Sequence, residues 1–176
     1  MTVPKQRLFF ALWPPAAARE RLGVLVQAAA RRAEARPTRL ETLHLTLVFL
    51  GSCRSDQAAA LCAGAAACRV EPFMLAFDQL GCWKSKGIVW LAPQLLAPEL
   101  LALEQRLRQL ALGLDLELDR RPYAPHLTLA RKARLPFPAQ AIEALGWPVE
   151  DFRLIESRLT PAGPTYHELA RWPLLS

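Results

Sequence analysis

The stretch His44-Leu45-Thr46-Leu47 recurs, residue for residue, as His126-Leu127-Thr128-Leu129. A repeated Leu-x-Leu would mean little in so leucine-rich a chain, but there are only 3 histidines in 176 residues and two of them stand in this tetrapeptide. In an extended strand residues i and i+2 share a face, so His44 and Thr46 point to one side while Leu45 and Leu47 anchor the other. The same alternation pairs His126 with Thr128. A duplication that served packing alone would need the leucines and not the polar residues between them.

Outward from these two strands, the chain reads as a mixture of strands and helices. Arg7 to Trp13 is a short apolar, aromatic run stopped by Pro14-Pro15, which suits a buried strand. From Ala16 to about Ala35, Leu22, Leu25, Val26 and Ala29 recur at helical spacing. A second alanine-rich helix is expected from Ser55-Asp56 to about Arg69, and a third from Ala97 to Leu112, ended by Gly113. Phe73 to Leu80 and Ile88 to Ala92 form a candidate hairpin around Gly81 to Gly87. After the second motif come a Pro-punctuated segment, a strand from Phe152 to Leu159 and a last one from Tyr166 to Trp172. This order is a mixed α/β pattern with hairpins, and two similar lobes, each contributing one histidine strand, would explain the repeat within a single domain, residues 1–176.

Composition narrows the class further. Hydrophobic residues make up 52% of the chain, ample for a core, and 22 Lys+Arg against 16 Asp+Glu leave a formal charge of +6. That balance favours a polyanionic partner, nucleic acid first, although a solvated basic surface accounts for charge alone equally well. The cysteines at 53, 62, 68 and 82 include no Cys-x-x-Cys pair and no histidine at zinc-ligand spacing, so they read as free thiols, with no metal and no cofactor expected. No apolar run reaches the roughly 18 residues of a membrane span. A cytoplasmic, monomeric protein with no membrane partner is the expectation.

If the two motif strands lie side by side, two imidazoles and two hydroxyls converge. In-line displacement at phosphorus needs a base for the attacking oxygen, an acid on the opposite side for the leaving oxygen, and donors for the non-bridging oxygens. Histidine, with an ordinary pKa of about 6.5, can serve in either proton role near neutral pH, and threonine hydroxyls can hold the phosphate. A lone histidine on a strand is most often structural; two in identical context point to catalysis, with His44 and His126 as the catalytic pair. His167 lacks the threonine at i+2 and reads as a structural or surface residue.

The double His-Leu-Thr-Leu motif resembles the signature of the two-histidine phosphoesterase superfamily. Its flanks are similar to the RNA 2′,3′-cyclic phosphodiesterase branch, historically called 2′-5′ RNA ligase. The similarity spans nearly the whole chain: Arg7-Leu8-Phe9-Phe10-Ala11, Phe49-Leu50-Gly51, Val89-Trp90-Leu91, Pro125, Ala130-Arg131, Glu156-Ser157, Tyr166 and Trp172-Pro173-Leu174. The resemblance implies a bilobal, pseudo-symmetric α+β fold with antiparallel sheets facing a central cleft and helices outside. It also implies metal-independent hydrolysis of RNA 2′,3′-cyclic phosphate ends to 2′-phosphomonoesters, with weak reverse 2′-5′ ligation. Carried over by position, His44 is the general acid for the 3′ oxygen and His126 the general base for water. Thr46 and Thr128 bind phosphate oxygens, Arg131 is a further phosphate ligand, and Phe9 stacks on the terminal base.

Two departures bear on substrate choice. Pro37 to Thr42 lack the aromatic and asparagine common in the family, and Trp13 replaces its acidic residue after the first strand. Trp83, Trp90, Tyr123 and Tyr166 read as core, while Lys84, Lys86, Arg120, Arg121, Lys132 and Arg134 flank the motifs and could guide an RNA backbone. Two alternatives stay open: a phosphodiesterase of small cyclic-phosphate nucleotides or 2′-5′ oligoadenylates, and a non-catalytic RNA-binding module.

Overall fold

The leucines of the two motifs point where alternation puts them. Leu45, Leu47, Leu127 and Leu129 are buried, and His44, Thr46, His126 and Thr128 between them are partly accessible. The computed structural model describes residues 5–161 and 163–175. In chain order the elements are β1 (Lys5–Leu12), α1 (Ala16–Arg32), a short β2 (Arg36–Pro37), a 3₁₀ turn (Leu40–Thr42), β3 (Leu45–Arg54), α2 (Ser55–Ala65), β4 (Phe73–Trp83), β5 (Ile88–Ala92), α3 (Pro98–Leu112), β6 (Leu127–Arg131), β7 (Gln140–Val149), β8 (Asp151–Thr160) and β9 (Gly163–Pro173).

All strand pairs are antiparallel, and the order β7-β4-β5-β6-β3-β1-β8-β9 divides into two sets of four. The sets meet at the motif strands, where pairing is confined to Leu45 opposite Leu127. Elsewhere β3 gives its hydrogen bonds to β1, and β6 gives its own to β5 and to β2. The expected α+β fold is therefore observed, as one nine-stranded antiparallel sheet whose two halves are joined through a single residue pair of the motif strands.

The helices cover the leucine face, and two of them cross between the halves of the sheet. Helix α1 follows β1 in sequence but lies against β6 and β7, whereas α3 follows β5 and lies against β3. Each buries an apolar stripe, Leu22, Val26 and Ala29 on α1 and Leu100, Leu103 and Leu107 on α3, in one core that draws on both lobes. A smaller cluster, Phe9, Ala11 and Ile155 with Trp13 and Tyr166 against it, forms separately from that core.

The Pro-punctuated segment is a strand that the sequence pattern did not announce. β7 pairs only with β4, and at such an edge the missing N–H of Pro148 is tolerated. Gly146 is required there, because a Cβ would collide with the Leu75 carbonyl of β4.

Candidate active site

Antiparallel pairing of Leu45 with Leu127 sets His44 opposite Thr128 and Thr46 opposite His126. Cross-strand partners point the same way, so with both leucines in the core all four polar side chains share the other face. A local two-fold relation follows from the repeat itself. Both histidines stand one residue ahead of their strands rather than within them, and each ring is tied back to the chain. The Nδ1–H of His44 donates to the Thr42 carbonyl at 2.8 Å, and that of His126 donates to the Ala124 carbonyl at 2.8 Å. A carbonyl can only accept, so Nδ1 carries the proton in each ring and Nε2 is the nitrogen left for chemistry.

His44 is enclosed by aromatic rings. Trp13 stacks on it at 5.0 Å and 15°, Phe9 lies at 4.9 Å, and Tyr166 meets it edge-on at 5.1 Å. The indole N–H of Trp13 donates to the Glu41 carbonyl at 3.2 Å, which fixes the stacking ring. Burial pushes the His44 pKa from 6.5 down to about 4; the Thr42 hydrogen bond acts against this, and the charges of Arg131 and His126 act with it. His126 has a thinner cover, with Trp83 edge-on at 4.6 Å. Its pKa is also lowered, first by burial and then by Arg131 and Lys86, against the Ala124 hydrogen bond.

Arg131 reaches this face through an irregularity. β5 pairs Trp90 with Thr128 and Val89 with Ala130, so Leu129 is an extra residue on β6 that shifts the alternation by one. Arg131, three residues after Thr128, therefore returns to the side of His126 and Thr128. Its charge acts on both histidines and on Tyr166, to which Arg7 and Arg39 also contribute. The face between the motifs is thus electropositive, as an anionic phosphate requires.

The structure brings His44, Thr46, His126, Thr128 and Arg131 together. Phe9 is 3% exposed, with its ring packed on His44 and Tyr166. His167 is exposed on β9. Trp13, Tyr166 and Trp83, which read as strand ends or core, are immediate neighbours of the histidines. The one available signal was Trp13 standing where the family pattern has an acid. Trp90 lies beside Trp83 at 5.6 Å, over Gly81, where a Cβ would collide with its indole. Among the described residues no group of three or more His, Cys, Asp or Glu side chains is arranged to hold a metal ion. No helix of the described chain is long and apolar enough to cross a membrane.

Comparison with known proteins agrees with this geometry. The family model for the 2′-5′ RNA ligase superfamily matches residues 13–161. The chain is 34% identical over 172 residues to the RNA 2′,3′-cyclic phosphodiesterase of Escherichia coli (strain K12), covering 96% of this chain and 97% of that protein. It is also 34% identical over 185 residues to the enzyme of the same name from Thermus thermophilus, covering 96% and 90%. Among solved structures, E. coli LigT complexed with 3′-AMP superposes with a TM-score of 0.89 at 31% identity, covering 98% of this chain and 100% of that one. A repeated motif on two paired strands, a match over most of the chain and full-length structural likeness have one meaning in common: this protein belongs to the 2′-5′ RNA ligase superfamily.

Proposed function

We propose that this protein is a metal-independent RNA 2′,3′-cyclic phosphodiesterase that opens the cyclic phosphate to a 2′-phosphomonoester. The observation that carries the reading is the pair of imidazoles on adjoining strands, each with Nδ1–H held by a carbonyl and Nε2 left over. In hydrolysis, water attacks phosphorus while His126 Nε2 takes its proton. The bond from phosphorus to the 3′ oxygen breaks, and His44 delivers a proton to that oxygen from Nε2. Thr46 and Thr128 donate hydrogen bonds to the non-bridging oxygens, and Arg131 offsets their charge. Proton exchange with water then resets the two rings.

The buried state of His44 gives this sequence its order. With a pKa of about 4 the ring is neutral in the free protein at pH 7. A cyclic phosphate anion placed beside it favours the charged form, so the acid is loaded as substrate binds. By microscopic reversibility the same groups catalyse joining of a cyclic end to a 5′-hydroxyl as a 2′-5′ linkage, disfavoured in water.

The test is incubation with an oligoribonucleotide ending in a 2′,3′-cyclic phosphate, with EDTA present, and mass-spectrometric or NMR identification of the product end. A 2′-phosphate is expected, with losses of about 10²- to 10⁴-fold for His44→Ala and for His126→Ala. Undiminished turnover by either variant would sink the assignment.

A further inference from the structure

Beside His126 the turn of the β4–β5 hairpin borders an open surface concavity of about 780 Å³ lined by Cys82, Trp83, Lys84, Ser85 and Lys86. That is ample for a nucleotide, since small-molecule pockets run from roughly 300 to 1,000 Å³. Trp83 is half-buried and joins the cavity to the site, its ring edge-on to His126. Lys84, Ser85 and Lys86 are exposed, and the Lys86 ammonium lies 5.6 Å from the Trp83 ring centroid. No carboxylate lines the cavity, and among the described residues neither lysine forms an ion pair.

The hairpin is held against the phosphate side of the site. Ile88 pairs with Arg131, and the Gly87 carbonyl accepts from Ala133 N–H at 3.0 Å, which seats the turn on Arg131-Lys132-Ala133. Lysines dispersed over a surface would be only solvated charge. Here an aromatic ring and two cations without counter-ions share one concavity next to a catalytic imidazole, the combination by which single-stranded nucleic acid is bound.

We propose that this cavity is the subsite for the nucleotide before the one that carries the cyclic phosphate, with Trp83 stacked on its base and Lys84 and Lys86 on the phosphodiester that joins the two. The inference rests on the reaction assigned above and deepens it, because a mononucleotide fills only the site between the histidines. The preferred substrate is therefore an RNA end rather than a small cyclic nucleotide. Lys86 moves from Trp83 to the phosphate as the base arrives, a change its flexible stem allows.

The experiment compares, on the full chain, a trinucleotide ending in a 2′,3′-cyclic phosphate with the mononucleoside 2′,3′-cyclic phosphate of the same terminal base. The trinucleotide is expected to show a higher kcat/KM by about 5- to 150-fold, the range for one stacked base. In Lys84→Gln/Lys86→Gln, and separately in Trp83→Leu, that ratio falls toward one. The ratio is the readout because Trp83 also touches His126. A binding arm titrates the 2′-phosphate trinucleotide product across salt concentrations, where the lysine variant, having lost its hold on one phosphodiester, should have a log-log slope shallower by about 0.7. A wild-type ratio near one, or a lysine variant that keeps both the ratio and the slope, overturns the subsite. Absence of turnover on both substrates counts against the reaction, and the binding arm then decides the subsite independently.

Discussion

Acidification should expose the cost of burying His44. The unfolded chain takes up this proton near pH 6.5, whereas the folded protein, where aromatic rings replace water, takes it up near pH 4. The folded pKa is depressed, so the unfolded state binds the proton first as pH falls. Stability is intact at neutral pH, declines below about 6.5 and has lost this contribution near 4. Linkage between those two values gives a loss of about 2 kcal/mol by pH 5 and about 3 kcal/mol by pH 4. Carboxylates titrate over part of the same window, so the measurement is a difference. His44→Asn keeps an N–H donor for the Thr42 carbonyl and removes the titration. Urea unfolding of both proteins from pH 7 to 4 should show the wild type losing that much more than the variant, and the His44 imidazole resonance should titrate well below 6.5 by NMR. Parallel decline of the two proteins, or a His44 midpoint near 6.5, would refute the burial argument and with it the loading of the acid by substrate.

Three other outcomes are expected. Trp13→Ala admits water to one face of His44, so its pKa should rise toward 6.5 and the acidic limb of the kcat/KM profile should move with it; an unmoved limb would show that the stack does not insulate the ring. Arg131→Gln removes a positive charge acting on both histidines, so both NMR midpoints should rise while the Kd for inorganic phosphate weakens by roughly tenfold, as loss of a charge-assisted hydrogen bond predicts. Leu127→Ala deletes a fully buried side chain at the only pairing point of the motif strands and should cost about 2 to 5 kcal/mol in urea denaturation, with loss of turnover at temperatures where the protein stays folded.

Much of the frame was legible because period alone determines it. Three helices and most strands follow from apolar spacing and proline or glycine punctuation, and they lie close to where those signals put them. β7 escaped because an edge strand with exposed residues and Pro148 has neither clean alternation nor a protected interior. Both motif strands begin only at the leucine after the histidine, since each histidine leaves the ladder to bond a carbonyl of its own chain.

The sequence by itself determined the reacting groups: alternation puts histidine and threonine on one face of each strand and leucine on the other, whatever the rest of the chain does. It also marked the two copies as equivalent. Only the tertiary structure made them unequal. Trp13 and Phe9 reach His44 from the first strand and its end, and Tyr166 from the last, while His126 meets Trp83 of a hairpin. Those partners are far apart in sequence and come together through strand order. Arg131 returns to the histidine face only because β6 carries one extra residue against β5. Desolvation depends on which rings surround an imidazole, a property of packing that no local pattern encodes. Thus the identity of the chemistry is local, and the difference between the two proton carriers is not.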